Sequence, residues 1–426
     1  MSHDIVSVAA REILDSRGWP TLEVTVTLED GSAGVASVPA GASTGRREAC
    51  DKRDGDAARF AGRGVQKARA CAEYELSTVV TGRDATRQTD IDRAMIRHDA
   101  TSDRSKMGAN AILGISLATA RAAAASLRTP LYAYLGGVGA RRLPVPLMNV
   151  LNGGRHASNR LAMQEFMIVP HGAPTFSEAL RWGVETYHAV GDILADRGLS
   201  TAVGDEGGFA PDLGSEREAL EVLVQAIGRA GYTAGDQIAI ALDPAASSFV
   251  GTDGHYDLPG VSHEPMTSDA LLETYVDWTR EFPIVSIEDG FAEDDWSGFQ
   301  RQTVRQGGEM QIVGDDLFTT RTDIIAKGIA EGCGNAVLIK PNQVGTLTET
   351  MEAVERCRQA GWRYIISHRA GETDDTFIAD LAVAMGGGQI KAGAPARGER
   401  VAKYNRLLAI EADLRKEAEF YSPFAR

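Results

Sequence analysis

The sequence predicts an α/β protein in two parts, an N-terminal α+β domain over residues 1–138 and a parallel β/α barrel over residues 139–426. Three observations carry this expectation. Residues 5–38 hold short alternating or β-branched runs. Residues 56–134 become rich in Ala, Arg, Glu and Leu at helical spacing. Beyond residue 140, short apolar runs end repeatedly in a charged or polar residue, each followed by a turn and a helical stretch.

In chain order, Ile5–Val8, Thr21–Leu28 and Gly34–Val38 read as strands, with Asp30-Gly31 as the turn between the last two, and together they make a small antiparallel sheet. The helical region is densest in Gly108–Leu127, whose Ala-rich run suits close packing on that sheet. The Gly-Gly-Val-Gly stretch at 136–139, followed by Pro144 and Pro146, marks a boundary. The strand candidates beyond it are MQEFMIVP, QIAIALD, IVSIED, QIVGDD, AVLIK, RYIISH and QIKAG. Six terminal residues, Asp243, Glu288, Asp315, Lys340, His368 and Lys391, are spaced by 45, 27, 25, 28 and 23 positions, the period of βα units. No Gly-rich dinucleotide fingerprint and no phosphate-cradling G-x-x-x-x-G-K-[ST] occurs, so a barrel is favoured over an open sheet.

Composition narrows the function. The 426 residues are 43% hydrophobic and 24% charged, which excludes disorder and fibres and allows a large core. A net charge of -15 without a Lys/Arg stripe argues against nucleic acid and anionic membranes as partners. Cys50, Cys71, Cys333 and Cys357 are scattered, so they read as small buried hydrophobes rather than a zinc site or disulfide framework. The N-terminus lacks a cationic start with an apolar stretch, and a cytoplasmic protein is expected.

A barrel opens all its strand ends onto one rim, so the six residues should converge. Any one of them is accounted for as a solvated loop residue; six at successive strand ends are not. Asp243, Glu288 and Asp315 make a hard-oxygen set suited to Mg²⁺. Lys340, pushed towards neutrality by a nearby divalent cation, becomes a base for a weakly acidic C–H, and Lys391 helps stabilise the charge that develops on an adjoining carboxylate. Gln164-Glu165 and the Gly-rich loop Gly204–Phe209 carrying Glu206 supply the acid if the two glutamates approach and repel, which keeps one proton bound. Arg369 and His156 add donors for a phosphate-like group.

The segments LDSRG, GASTG, GANAILG, NGGRHA, QEFMI, GDEGGFAP, SIED, VGDDLF, NQVGTLTET, SHRAGET and RVAKYN span the chain, which resembles the enolase family over essentially its whole length. The resemblance implies an enolase-type modified (β/α)8 TIM barrel behind the N-terminal domain, a homodimer or higher homo-oligomer, and Mg²⁺-dependent interconversion of 2-phosphoglycerate and phosphoenolpyruvate. Carried over by motif, Asp243, Glu288 and Asp315 match the first metal's ligands, Lys340 the base, and Glu206 the acid with Glu165 assisting. Arg369 matches the phosphate-binding arginine and Lys391 the carboxylate-binding lysine; His156 and His368 match pocket histidines, and Gln164 lies beside the substrate. The strand LIK lacks the K-x-K pair of the racemase and lactonising branches.

Several positions depart from the family pattern. The serine of VPSGASTG, whose oxygens reach a second Mg²⁺, is Ala40, and the serine of SHRSGE, which contacts phosphate, is Ala370. Trp19, Arg46-Arg47, Gly290, Pro341 and Ala392 also differ. Both serine losses fall at the phosphoryl end, and Arg46 or Arg47 offers a cation for an extra negative charge, so the substrate is expected to be a small phosphorylated or phosphonylated three-carbon acid. The favoured expectation is a paralogue resembling carboxyphosphonoenolpyruvate synthase, of phosphonate and phosphinothricin biosynthesis. An ordinary glycolytic enolase is the alternative, and a non-catalytic scaffold on the same fold is the alternative of another class.

Overall fold

The computed structural model describes residues 2–41 and 45–424. Ala42, Ser43 and Thr44 of GASTG therefore lie outside the described residues.

The N-terminal sheet comprises β1 (Ile5–Leu14), β2 (Pro20–Leu28) and β3 (Ala33–Ser37), antiparallel in the order β1-β2-β3. Asp30 Oδ1 accepts the Ser32 amide at 2.8 Å, and Gly31 takes φ +84°, so the Asp-Gly pair closes the hairpin as its chemistry predicts. Along β2, Leu22, Val24, Val26 and Leu28 are buried and alternate with half-buried Glu23, Thr25 and Thr27. The apolar face meets the helix Ala109–Ser126, nearly all of whose residues are buried. Small residues make this packing close: a Cβ at Gly34 would lie 2.1 Å from the carbonyl oxygen of Ala118.

The barrel strands are β4 (Val145–Asn152), β5 (Glu165–Val169), β6 (Ala239–Asp243), β7 (Ile284–Glu288), β8 (Gln311–Gly314), β9 (Ala336–Ile339), β10 (Arg363–Ser367) and β11 (Gln389–Lys391). They close in the order β10-β11-β4-β5-β6-β7-β8-β9. Two features correct the sequence expectation. β4 begins between Pro144 and Pro146, where the prolines read as a boundary, and all its residues are buried. The barrel is also not wholly parallel, because β5 runs antiparallel to both β4 and β6. A loop without a crossover helix, residues 153–164, joins β4 to β5, and a parallel neighbour needs a longer crossover. The reversal puts the start of β5 at the rim where the other strands end, and Glu165 pairs in register with Asp243.

Val145, Leu147, Met167, Val169, Ala239, Ala241, Val313, Ala336, Leu338 and Ile365 fill the barrel as a separate apolar cluster. Two buried amides share this interior. Gln311 and Gln389 donate to each other's carbonyl oxygens at 3.1 and 2.9 Å, and Gln311 also donates to Ser286 Oγ at 3.1 Å. Cys71, Cys333 and Cys357 are buried as expected, but Cys50 is exposed, because it lies in the extended loop following β3. No single helix is long and apolar enough to cross a membrane among the described residues.

Ionic and polar links tie the N-terminal part to the barrel. Asp92 on the helix Gln88–Asp99 accepts the Thr348 amide at 3.0 Å and its hydroxyl at 2.6 Å. Glu48 faces Arg369 in a two-pronged pair, at 2.9 and 3.2 Å.

Candidate active site

Strand geometry assembles the site. His156, Gln164, Glu165, Glu206, Asp243, Asp315, Lys340, His368, Arg369, Ala370 and Lys391 line one small cavity at the rim, of about 30 Å³. Glu288 lies just beneath, its carboxylate within 2.9 Å of Lys391 Nζ. All six strand-end residues therefore reach this region, five of them buried and Lys340 half-buried. The cavity is small, about the size of one water.

Lys391 is the electrostatic hub. Its ammonium is 2.9 Å from Asp243, 2.9 Å from Glu288 and 3.2 Å from Glu165. Burial works against its charge, but these carboxylates outweigh burial and hold it well above the usual lysine range. One ammonium cannot neutralise three carboxylates, and Glu288 shows the excess: burial, then Asp243, push it well above the usual carboxylate range. A divalent cation fits this surplus of hard oxygens. Asp243, Glu288 and Asp315 are the residues that would hold it.

Among the described residues the ligand-type atoms that lie within 4.8 Å of one another form two groups, His156/Glu165/Glu206 and Asp289/Asp315/Asp316, and the expected set Asp243, Glu288 and Asp315 is not drawn that close. In the second, Asp289 already accepts the amides of Asp315 and Asp316, each at 2.8 Å, so it sets the backbone carrying Asp315. Its own φ of 41° is unusual for a non-glycine residue, and both bonds hold it there. Asp289 was not singled out from sequence, although it follows Glu288 directly in SIED.

Lys340 departs from expectation. It is hydrogen-bonded to Asp315 Oδ2, whose other oxygen accepts Gln343 Nε2 at 3.0 Å. Burial lowers its pKa, yet Asp315 and Glu288 more than offset this, and it is held above its ordinary value rather than below it. The carboxylate expected to bind the cation is the one that keeps the amine protonated here.

The two glutamates do approach each other, within 4.8 Å, and their surroundings push their pKa values apart, but it is Glu165 rather than Glu206 that is pushed up. Burial and then Glu206 push Glu165 well above the carboxylate range. Burial also opposes the charge on Glu206, but His368, His156 and Arg400 outweigh it and hold Glu206 well below that range. Glu206 Oε2 accepts Asn149 Nδ2 at 3.2 Å, a partner on β4 that carries no motif signal in the sequence. His156 Nδ1 sits between the two acids, 3.7 Å from Glu165 and 3.8 Å from Glu206. Burial keeps His156 below its ordinary pKa. Gln164 Nε2 reaches Asp243 Oδ2 at 3.5 Å.

At the other end, Arg369 is 4% exposed and engaged by Glu48, so its guanidinium is already oriented by a carboxylate. Ala40 and Ala370 are neighbours, as their shared departure suggested: Ala40 and Gly371 exchange backbone hydrogen bonds of 2.8 and 2.9 Å. Ala370 lines the cavity; Ala40 acts through its backbone, whose carbonyl also accepts Arg17 Nη2 at 3.2 Å. Arg46 does not face the phosphoryl end. It pairs with Glu293 at 2.9 Å and Asp294 at 2.6 Å, lining an adjoining cavity of about 720 Å³. Its side chain is 73% exposed, so these are surface pairs outside the small cavity. Trp19 lies away from the cavity too, under the Arg63 guanidinium at 4.2 Å.

Comparison with known proteins agrees with this architecture. Residues 5–135 match the family model described as enolase, N-terminal domain, and residues 140–424 match enolase, C-terminal TIM barrel domain. The chain is 55% identical over 420 residues to a protein named Enolase 1 of Methylococcus capsulatus (strain Bath), covering 99% of this chain and 100% of that protein. It is 54% identical over 422 residues to Enolase of Desulfotalea psychrophila, with 99% and 100% covered.

Proposed function

The chain belongs to the enolase family, as an enolase-type hydro-lyase, and from that premise we propose that it removes water from 2-phosphoglycerate to form phosphoenolpyruvate, using Mg²⁺. The observation that carries the proposal is a single cavity lined both by an amine, Lys340, and by a buried carboxyl pair, Glu165 and Glu206, whose pKa values are pushed in opposite directions. Elimination needs those two functions together: a base for the C2 proton and an acid for the departing hydroxyl. Arg369 would orient the phosphate and Lys391 the carboxylate, with Gln164, His156 and His368 shaping the wall between them. Bound by Asp243, Glu288 and Asp315, Mg²⁺ would claim the Asp315 charge that now holds Lys340 protonated and would oppose the second negative charge growing on the substrate carboxylate.

The relatives support the ordinary reaction over the phosphoryl-altered one, since proteins more than half identical over their whole length carry the plain name. Arg46 and Arg47 both pair with Glu293 and Asp294 and neither lines the small cavity, which counts against the reading that relied on them. Neither finding favours a carboxyphosphonate substrate.

The test is the ultraviolet absorbance of the enol product with 2-phosphoglycerate and Mg²⁺. Lys340→Ala is expected to lower kcat by about 10²–10⁴-fold, the usual worth of a positioned base. Restoring serine at positions 40 and 370 is expected to leave wild-type turnover nearly unchanged. A large gain in the serine variants over a feeble wild type would instead reinstate an altered phosphoryl group, and a protein inert towards both substrate and Mg²⁺ would point to a scaffold.

A further inference from the structure

Arg400, near the start of the helix Gly398–Leu414, has a completely buried side chain for which the proposed reaction has no use. Its guanidinium reaches two segments of the site at once. Nη1 lies 2.5 Å from His368 Nδ1 and donates to the Arg369 carbonyl at 2.7 Å. Nη2 donates to the carbonyls of Ala370 at 2.5 Å and Asp205 at 3.1 Å. The acceptors sit on the turn after β10 and on the loop carrying Glu206. The space is shaped for this side chain, because a Cβ on Gly393 would come within 2.8 Å of Arg400 Cδ.

A guanidinium has only donors and keeps its proton in proteins. His368 Nδ1 must therefore present its lone pair, and the hydrogen of a neutral imidazole is left on Nε2. That nitrogen has no hydrogen-bonded partner of its own among the described residues; it lies 3.2 Å from Glu206 Oε2, on a ring that lines the cavity. We infer that Arg400 is a positioning residue that locks His368 as the Nε2–H tautomer, so that a donor faces Glu206 and the substrate cavity, and that ties the His368–Ala370 turn to the Glu206 loop. Its consequence for catalysis rests on the elimination proposed above; the tautomer itself does not.

Nitrogen NMR of protein carrying ¹⁵N-histidine tests this directly, with eight histidines to resolve and His368→Gln to assign the signal. The wild type is expected to show His368 with a bare Nδ1 and a protonated Nε2. Arg400→Met is expected to lose that preference and to lower kcat by on the order of tenfold to a hundredfold, the scale of a small misplacement of a reacting group, with KM changing far less. Arg400→Lys, which keeps a cationic donor, should retain the tautomer and more of kcat than the methionine variant. A wild-type His368 protonated on Nδ1 would overturn the inference without any variant, even if Arg400→Met does not fold. So would a folded Arg400→Met with tautomer and kcat unchanged. A wild type with the expected tautomer but no turnover of 2-phosphoglycerate would sink the proposed function and leave the tautomer lock standing.

Discussion

At the scale of single residues, the site is governed by how buried charges are shared. Glu165 and Glu206 are chemically alike and equally buried, yet their surroundings send their pKa values in opposite directions. Only Glu206 has His368 and Arg400 on its side; Glu165 has Glu206 as its nearest large influence after burial. Glu165→Gln should therefore be tolerated in the fold, because an amide carries no charge where burial and Glu206 already disfavour one. Glu206→Gln should be less stable than Glu165→Gln by about 1.5–3 kcal/mol, the worth of a hydrogen bond to a charged group. Urea denaturation of the two variants checks the order, and a Glu165→Gln protein less stable than Glu206→Gln would reverse the proton assignment. Both should be poor catalysts, since neither amide transfers a proton.

At the scale of elements, the barrel interior is decided by pairing as much as by apolar filling. Gln311 on β8 and Gln389 on β11 face each other across the interior and satisfy each other's amides. Removing one side leaves the other buried and unmet. Gln311→Ala is expected to cost about 1–3 kcal/mol for the stranded group, on top of the lost packing, and the double variant with Gln389→Ala should cost less than the sum of the two single changes. A double-mutant cycle by denaturant titration measures that difference; strict additivity would mean the pair is not coupled. The antiparallel β5 belongs to this scale as well. Its reversal, through a connection with no crossover α-helix, allows a residue at a strand start, Glu165, to stand beside one at a strand end, Asp243.

Across the whole molecule, stability should follow the joint between the two parts and the cation site. Asp92 is fully buried at that joint, and burial raises its pKa even though Thr348, Ser116 and Gln88 hydrogen-bond it. The folded state therefore holds this proton more tightly than the unfolded chain. The contribution is fully present below the unfolded carboxylate value, about 3.9, and is lost as pH rises through the raised folded value. Asp92→Asn, which cannot ionise, should compare better with the wild type at neutral pH than at pH about 4; thermal unfolding at both values tests this, and an unchanged gap would show that Asp92 does not titrate with folding. Separately, Mg²⁺ at about 100 times its dissociation constant should stabilise the protein by about 2.7 kcal/mol, and a chelator should reverse it. Asp243→Asn together with Glu288→Gln should abolish this increment, and a thermal shift that persisted in that variant would place the cation elsewhere.

Much of this was legible in the chain itself. The spacing of Asp243, Glu288, Asp315, Lys340, His368 and Lys391 announces repeated βα units because a strand, a turn and a helix consume a nearly constant length, and a barrel sends each strand end to the same rim. The Asp30-Gly31 hairpin and the Ala-rich helix are local chemistry, readable residue by residue. What stayed hidden depends on contacts between distant segments. Pro146 inside β4 reads as a breaker until neighbouring strands claim it, and the direction of β5 depends on a connection that has no periodic signal. Arg46 looked like a free cation until Glu293 and Asp294 met it from the loop after β7. Lys340, Glu165 and His368 have ordinary side chains; their protonation follows from burial and from partners up to hundreds of positions away, which only the assembled structure brings within reach.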